Sequence, residues 1–329
     1  MTEALLRVER LGVALPTRSG YHHAVDDLSF AVDAGEIMGI AGESGSGKTM
    51  TALSLFGLLP PGAQVTGSIR LDGTELTALS TRQLRAVRGR QIAMVSQDPA
   101  TSLHPILPVG TQLTEHMRYH LGVDKAEARL RAAALLETVR IPDPERALRA
   151  YPGQFSGGMR QRIAIAVALA AEPRLLVADE PTTALDVTVQ AGILRLLDRL
   201  CRERGMAVIV ITHDLGVMSA IAGRLAVMYA GRLAEAGPTS ELMTRPRHPY
   251  TRGLLDALPH PEGGPGVGTA PLVPIGGSPP SLGRVPDGCP FHPRCTYAEA
   301  SCAAERPEPV PVDAGHLLAC PPDPLRESS

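Results

Sequence analysis

The stretch that decides the fold is Gly42-Glu43-Ser44-Gly45-Ser46-Gly47-Lys48-Thr49, which fits the pattern G-x-x-x-x-G-K-[ST] of a phosphate-binding loop. An apolar run at 37–41 precedes it and a helix-forming run follows it, which is the context that the pattern requires. Glycines at this spacing let backbone N–H groups converge on phosphate oxygens, and the start of the helix adds a favourable dipole. In such a loop Lys48 reaches the β- and γ-phosphates and Thr49 binds Mg²⁺. The stretch therefore predicts a nucleotide site, with an accidental glycine turn as the alternative.

Three more apolar runs, at 92–95, 175–178 and 208–211, have the same character as the run at 37–41. Nearly continuous apolar sequence is typical of parallel strands that are covered on both faces. These runs alternate with helical patterns, so the chain from about residue 3 to 240 predicts an α/β domain. The mostly helical pattern between 109 and 171 predicts a helical insertion between two core strands.

The composition changes after about residue 245. The segment 259–286 is dense in proline and glycine, which predicts an irregular strap, and four of the five cysteines follow it. We expect a nucleotide-binding domain at 1–245, with a helical subdomain at about 98–172, and a separate C-terminal extension at 246–329.

Bulk composition excludes some classes of protein. The 329 residues are 44% hydrophobic and 20% charged, which is ordinary for a packed globular protein. The formal net charge of -2 lacks the basic surplus of a nucleic-acid binder. The N-terminus has no signal-peptide pattern, and the longest apolar run, 163–171, is about half the length needed to cross a bilayer. We expect a cytoplasmic chain that reaches a membrane only through partners.

The run at 175–178 ends in two carboxylates, Asp179 and Glu180. An acid at the carboxyl end of a strand lies beside the phosphate loop in an open α/β sheet. Asp179 suits Mg²⁺, directly or through water, and Glu180 suits a general base that polarises the attacking water. A pair of exposed loop acids is the alternative interpretation.

A second predicted anion site starts at Ser156-Gly157-Gly158, just before a helix that runs through Ala171. One nucleotide needs only one such site. The second is explained if it caps the γ-phosphate of ATP that another subunit holds; a capped helix with a glycine turn is the alternative.

Together these motifs resemble ABC ATPases. Ser156-Gly157-Gly158 resembles the signature motif, Gln97 the Q-loop, Thr183-Ala184-Leu185-Asp186 the D-loop and His213 the switch histidine, in the correct order over about 200 residues. The resemblance implies a P-loop nucleotide-binding domain with a mixed sheet, an antiparallel β subdomain and a helical subdomain. Met159 departs from the glutamine that is usual in the signature, which we do not expect to abolish activity.

The resemblance also implies roles for single residues. Gln97 contacts Mg²⁺ or the attacking water and senses the membrane partner, and His213 holds the γ-phosphate. An aromatic ring stacks on adenine, for which we favour Tyr21 over His22 and His23. The residues expected to bind ATP are Tyr21, Gly42, Glu43, Ser44, Gly45, Ser46, Gly47, Lys48, Thr49 and Met50. The residues expected to act in catalysis are Lys48, Gln97, Glu180 and His213. Those expected to bind Mg²⁺ are Thr49, Gln97 and Asp179. Those expected to act on the partner's ATP are Ser156, Gly157, Gly158 and Asp186.

The segment 245–255, Arg-Pro-Arg-His-Pro-Tyr-Thr-Arg-Gly-Leu-Leu, closely resembles the one that follows the nucleotide domain in oligopeptide and dipeptide permease ATPases. That resemblance implies a second, related ATPase subunit, two membrane permeases and an extracytoplasmic substrate-binding protein as partners. It places the chain peripherally at the cytoplasmic face of the membrane. Peptides are the expected cargo, with nickel chelates, glutathione or another small solute as alternatives. A soluble ABC ATPase of repair or translation and a subunit that binds nucleotide without hydrolysing it are the rival classes.

The cysteine cluster comprises Cys289, Cys295, Cys302 and Cys320. Disulfides are not expected in a cytoplasmic chain, and the spacing lacks the C-x-x-C pairs of most structural zinc sites. Four thiolates suit an iron–sulfur cluster. Some peptide-permease ATPases resemble this arrangement and carry a 4Fe–4S cluster, so we predict one here, with Zn²⁺ or free thiols as alternatives. Cys201 is expected in the core.

Overall fold

A computed structural model describes residues 4–98, 102–182, 186–258 and 274–326. The strands are β1 Leu6–Thr17, β2 Gly20–Val32, β3 Ile37–Ala41, β4 Gln64–Leu71, β5 Thr74–Glu75, β6 Ile92–Val95, β7 Leu175–Asp179, β8 Ala207–Thr212, β9 Arg224–Tyr229, β10 Arg232–Pro238, β11 Val310–Asp313 and β12 His316–Leu318. The helices are α1 Lys48–Leu55, α2 Thr81–Val87, α3 Val109–Leu121, α4 Lys125–Thr138, α5 Pro144–Ala147, α6 Gly157–Leu169, α7 Val187–Arg204, α8 Leu215–Ile221, α9 Thr239–Thr244, α10 Pro249–Asp256 and α11 Ala300–Ala304, with 3₁₀ turns at Pro152–Gln154 and His292–Arg294.

The central sheet has eight strands in the order β11-β12-β10-β9-β3-β8-β7-β6. Strand β3 pairs in parallel with β8 and β9, and β7 pairs in parallel with β6 and β8. Strands β3, β6, β7 and β8 are the four apolar runs of the sequence, and nearly all their residues are buried. The predicted parallel core is therefore confirmed. Because parallel strands end at one edge, the segments after these four strands meet there.

A second, antiparallel sheet has the order β2-β1-β4-β5. It shares a hydrophobic core with one face of the central sheet, where side chains of β1 and β4 pack with Met38, Ile40 and Leu55. This is the antiparallel β subdomain that the family resemblance implied.

Helices α3 to α6 connect β6 to β7 and form the helical insertion that the sequence predicted. Leu113 of α3, Leu136 of α4 and Ile163 of α6 are fully buried in a core that continues onto the other face of the central sheet. Asp124 begins α4 by accepting a hydrogen bond from the Glu127 N–H, as expected of an N-cap.

The C-terminal extension joins the central sheet. Strand β12 pairs with β10, and β11 then pairs with β12 at the sheet edge. Beneath this pairing Glu235 is fully buried, and its carboxylate accepts hydrogen bonds from the backbone N–H groups of Arg247 and His248 and contacts His316 Nε2 at 2.9 Å. The composition change near residue 245 gave no indication of this pairing, and the extension is less separate than the sequence suggested.

Candidate nucleotide-binding and hydrolysis site

The phosphate loop occupies residues 42–47, between the end of β3 and the start of α1. Gly42, Gly45 and Gly47 all have positive φ. A Cβ on Gly42 would lie 2.2 Å from the Met228 carbonyl oxygen, and one on Gly47 would lie 2.5 Å from the Ala24 carbonyl oxygen. The loop is therefore wedged between two backbones, which only glycine permits at these two positions.

Lys48 lies against this loop and is 6% exposed. Its Nζ donates to the carbonyl oxygens of Gly42 at 2.7 Å and Glu43 at 2.8 Å, and to Ser46 Oγ at 3.3 Å. Burial lowers the pKa of Lys48, while the nearby carboxylates of Glu180, Asp179 and Glu43 oppose that shift. The ammonium thus has three oxygen partners in the loop and three acids around it.

Asp179 ends β7 and is 5% exposed. It shares a side-chain hydrogen bond with Thr49, and its pKa is raised by burial and by the neighbouring carboxylate of Glu180. A buried carboxylate beside a hydroxyl is a pair of hard oxygen donors of the kind Mg²⁺ prefers, so both residues fit that ion.

Three catalytic candidates meet at the carboxyl edge of the sheet. The Glu180 carboxylate accepts a hydrogen bond from Gln97 Nε2 at 2.9 Å and contacts His213 Nδ1 at 3.1 Å. Glu180 has a φ of 48°, and its N–H donates to the Ile211 carbonyl, so the chain turns sharply as it leaves β7. Such a conformation is strained for a non-glycine residue and is frequent at functional sites. Residues that follow β6, β7 and β8 are thereby brought into direct contact.

A cavity of about 400 Å³ lies over the phosphate loop. This volume is in the range of small-molecule sites. The lining residues are His23, Ala24, Ser44, Gly45, Ser46, Gly47, Lys48, Thr49, Met50, Gln97, Glu180, Ala230, Pro280, Ser281, Leu282 and Val285. His23, one of the rivals for the adenine-stacking residue, is among them. Tyr21, on the same strand, is 50% exposed and does not line the cavity.

The signature residues lie elsewhere on the surface. Ser156 is exposed and caps α6, where its Oγ accepts a hydrogen bond from the Met159 N–H. Asp186 is exposed and caps α7 through the Val189 N–H. Neither residue lines the cavity over the phosphate loop. Of the predicted D-loop, residues 183–185 lie outside the described part of the chain.

The chain is similar to known proteins over nearly all of its length. Residues 25–183 match the family described as ABC transporter, and residues 234–302 match the oligopeptide/dipeptide transporter C-terminal region. The chain is 47% identical over 318 residues to the oligopeptide transport ATP-binding protein OppD of Salmonella typhimurium. The aligned residues cover 96% of this chain and 93% of that protein. It belongs to the ABC transporter family.

Other relatives place it among the ATP-binding subunits of the oligopeptide/dipeptide type. The chain is 46% identical to the dipeptide transport ATP-binding protein DppD of Bacillus subtilis over 320 residues, 97% of this chain and 94% of that protein. Among solved structures it is similar to the dimeric ATP-binding cassette MJ0796 in a post-hydrolysis state bound to ADP and Pi. That likeness has a TM-score of 0.64 at 27% identity and covers 71% of this chain and 98% of that chain. This ABC subunit is an ATPase.

Within the residues described, no helix combines the length and the apolar character that a membrane crossing requires.

Two of the four clustered cysteines are in direct backbone contact. The Cys289 N–H donates to the Cys302 carbonyl, and burial raises the pKa of Cys320 to about 12, with smaller contributions from the other three cysteines. However, no three His, Cys, Asp or Glu side chains in the described ranges are placed to hold a metal ion. The structure therefore gives no support to the predicted 4Fe–4S cluster or to Zn²⁺, and that prediction rests on the sequence alone. Cys201 is buried in α7, as expected.

Sequence reasoning missed the part of the site that the C-terminal extension supplies. Pro280, Ser281, Leu282 and Val285 line the cavity, and Arg294 pairs with Glu43 of the phosphate loop. A proline-rich strap and a single arginine carry no local pattern that predicts contact with a motif more than two hundred residues earlier in the chain.

Proposed function

We propose that this ATPase energises an importer of di- or oligopeptides, and that the contact of Gln97 and His213 with Glu180 beside the phosphate loop is its hydrolytic centre. The contact is the observation that carries the proposal. It joins Glu180, the general-base candidate, to His213, which orients the base, and to Gln97, which links the base to the membrane partner. Peptide cargo is supported by the matched C-terminal region and by the relatives named for oligopeptide and dipeptide transport.

Lys48 and the backbone N–H groups of the phosphate loop bind the β- and γ-phosphates of ATP, which replace the loop oxygens as partners of Nζ. Asp179, Thr49 and Gln97 would hold Mg²⁺, which when bound would supply positive charge against the charge that develops on the phosphoryl group. Glu180 accepts a proton from the water whose oxygen attacks the γ-phosphorus. The bond from that phosphorus to the bridging oxygen breaks, and ADP and phosphate leave.

His213 contacts Glu180 at 3.1 Å, and its side chain is 60% exposed, so it is accessible to a ligand or a water beside that carboxylate. It orients the base and donates a hydrogen bond to the γ-phosphate. Gln97 holds the other side of the carboxylate and links it to the helical insertion, through which motion passes to the permeases.

The site is completed by a second subunit. Ser156, Gly157, Gly158 and Asp186 lie outside the cavity over the phosphate loop, and as the signature and D-loop residues they serve the ATP of a partner ATPase, identical or related. The solved relative that is dimeric and bound to ADP and Pi supports such a pair. Two permeases and an extracytoplasmic binding protein complete the importer, and the ATPase pair sits peripherally at the cytoplasmic face of the membrane.

Reconstitution tests the proposal. The chain, its partner ATPase and the permeases in proteoliposomes should hydrolyse ATP faster when the binding protein and a di- or oligopeptide are present, and labelled peptide should accumulate inside. Stimulation by a nickel chelate or glutathione but not by peptides would reassign the cargo. Co-purification with DNA or ribosomes instead of permeases would favour a soluble ABC ATPase.

A further inference from the structure

A residue of the C-terminal extension binds directly to the phosphate loop. Arg294, in the 3₁₀ turn of the C-terminal extension, has a side chain only 6% exposed. Its Nη1 lies 2.6 Å from Glu43 Oε2 and its Nη2 lies 3.0 Å from Glu43 Oε1. This is the two-pronged geometry that makes arginine–carboxylate pairs strong and directional. Glu43 is the second residue of the loop, so the extension directly fixes part of the ATP site.

A buried aromatic platform supports this pair. The Glu43 N–H donates to Tyr250 Oη at 2.7 Å, and Tyr250 is fully buried. The rings of Tyr229, Tyr250 and Phe291 lie 4.6 to 5.3 Å apart, and Arg294 donates to Tyr229 Oη at 3.2 Å. The side chain of Glu43 is thus held by Arg294, and its amide is held by Tyr250 of the platform. Its carbonyl accepts from Lys48 Nζ, so the same contacts bear on where the ammonium lies.

The contact is not needed to attach the extension. Strand β12 already pairs with β10, and Glu235 accepts two backbone N–H groups of the residues that lead into α10. Arg232 of β10 makes a further ion pair with Glu308 of the extension. The extension is therefore anchored where β12 pairs with β10, and this attachment does not account for a buried arginine at the phosphate loop.

We infer that Arg294 is a positioning residue for the phosphate loop, through which the C-terminal extension sets the affinity of the chain for ATP. The inference rests on the proposed function only in taking residues 42–49 as the ATP site. Arg294 and Tyr250 hold Glu43 so that the loop is already in the shape that receives the phosphates, which removes an ordering cost from binding. Linkage requires the reverse effect as well: bound ATP must make the contact between extension and loop more persistent.

The test compares Arg294→Ala with a matched control, Arg306→Gln. Arg306 also joins the extension to the nucleotide-binding domain, by an ion pair with Asp26, but it does not touch the loop, and Asp26 keeps Arg232 as a partner. With the purified full chain and Mg-ATP, calorimetry should show an affinity about tenfold weaker for Arg294→Ala and within about twofold of wild type for Arg306→Gln. Arg294→Lys, which keeps the charge but loses the fork, should fall between them.

A second readout separates positioning from folding. Hydrogen exchange of the amides at 289–295 should slow when ATP is added to wild type and to Arg306→Gln, and should not respond to ATP in Arg294→Ala. If Arg294→Ala does not fold, Glu43→Gln removes the same ion pair by neutralising its acidic partner. The affinity for ATP must then fall by a similar factor.

Wild-type affinity in Arg294→Ala, or equal losses in Arg294→Ala and Arg306→Gln, would overturn the inference alone. Failure of the wild-type chain to bind ATP would instead refute the proposed function, and the inference with it.

Discussion

Replacement of Gly47 by alanine isolates the close approach on which the phosphate loop depends. Gly47 has a φ of +100°, and a Cβ there would lie 2.5 Å from the Ala24 carbonyl oxygen and 3.2 Å from the Gly231 Cα. Both neighbours are backbone atoms, so neither can turn away. Gly45 offers a control in the same loop, because its φ is +81° and a Cβ there meets nothing within 4 Å.

The free energies of unfolding of the two variants should differ only by the cost of the steric clash at residue 47. Positive φ costs a non-glycine residue about 1–3 kcal/mol, and forcing a methyl group into filled space costs about another 1–3 kcal/mol. The stiffer unfolded chain returns about 0.4–1 kcal/mol in each variant. We therefore expect Gly47→Ala to lower the free energy of unfolding by about 2–5 kcal/mol and Gly45→Ala by about 1–2 kcal/mol.

Urea unfolding followed by circular dichroism measures both values, and calorimetry with Mg-ATP measures binding. Gly47→Ala should also lose ATP affinity by about a hundredfold or more, because its strain is relieved by moving the loop away from Ala24. Equal stability and equal ATP affinity in the two variants would refute the argument, since the strain of a positive φ would then account for the whole loss in Gly47→Ala.

Three further predictions concern charge, pH and metal. Asp179→Asn should cut ATP hydrolysis by about a hundredfold while Mg-free ATP still binds. It should also raise the melting temperature at neutral pH, because burial raises the pKa of this carboxyl and its ionised form therefore opposes folding. An unchanged hydrolysis rate at saturating Mg²⁺ would contradict the role of Asp179. Burial lowers the pKa of His248 to about 4, so the unfolded chain binds more protons between about pH 6.5 and 4, and stability should fall as the pH falls through that window. His248→Asn, which retains a capping acceptor for the Tyr250 N–H, should show a smaller fall in chemical denaturation, and an identical pH profile would rule out this histidine as the cause. Protein purified without oxygen should be brown and absorb in the visible blue if the four cysteines hold an iron–sulfur cluster, whereas a colourless protein with stoichiometric zinc, or with no metal at all, would reject that prediction.

The sequence was most informative where function depends on short-range pattern. Runs of apolar residues predicted β3, β6, β7 and β8, because strands buried on both faces leave little room for polar side chains. The phosphate loop, the acids at the end of β7 and the histidine after β8 each follow such a run. Their meeting at one sheet edge follows from parallel pairing, and the structure places Gln97 and His213 in contact with Glu180.

What the sequence did not predict depends on pairing between distant segments. The attachment of β12 to β10 and the ion pair between Arg294 and Glu43 join residues that no local period or spacing relates. The choice of Tyr21 for adenine came from the family resemblance, which implies an aromatic ring in this part of the chain. The walls of the cavity are instead set by how β2 meets the strap at 280–285, where His23 and Leu282 face the same space. Adenine stacking by Tyr21 remains a prediction.

Phosphate release by Glu180→Gln tests the central claim most directly. Glutamine keeps the size of the side chain and an acceptor for Gln97, but it cannot take a proton from water. The assembled Glu180→Gln complex should bind Mg-ATP as tightly as wild type, hold its two ATPase subunits together and release phosphate at least about a hundredfold more slowly. Phosphate release at the wild-type rate would contradict the assignment of Glu180 as the base, and with it the hydrolytic centre described above.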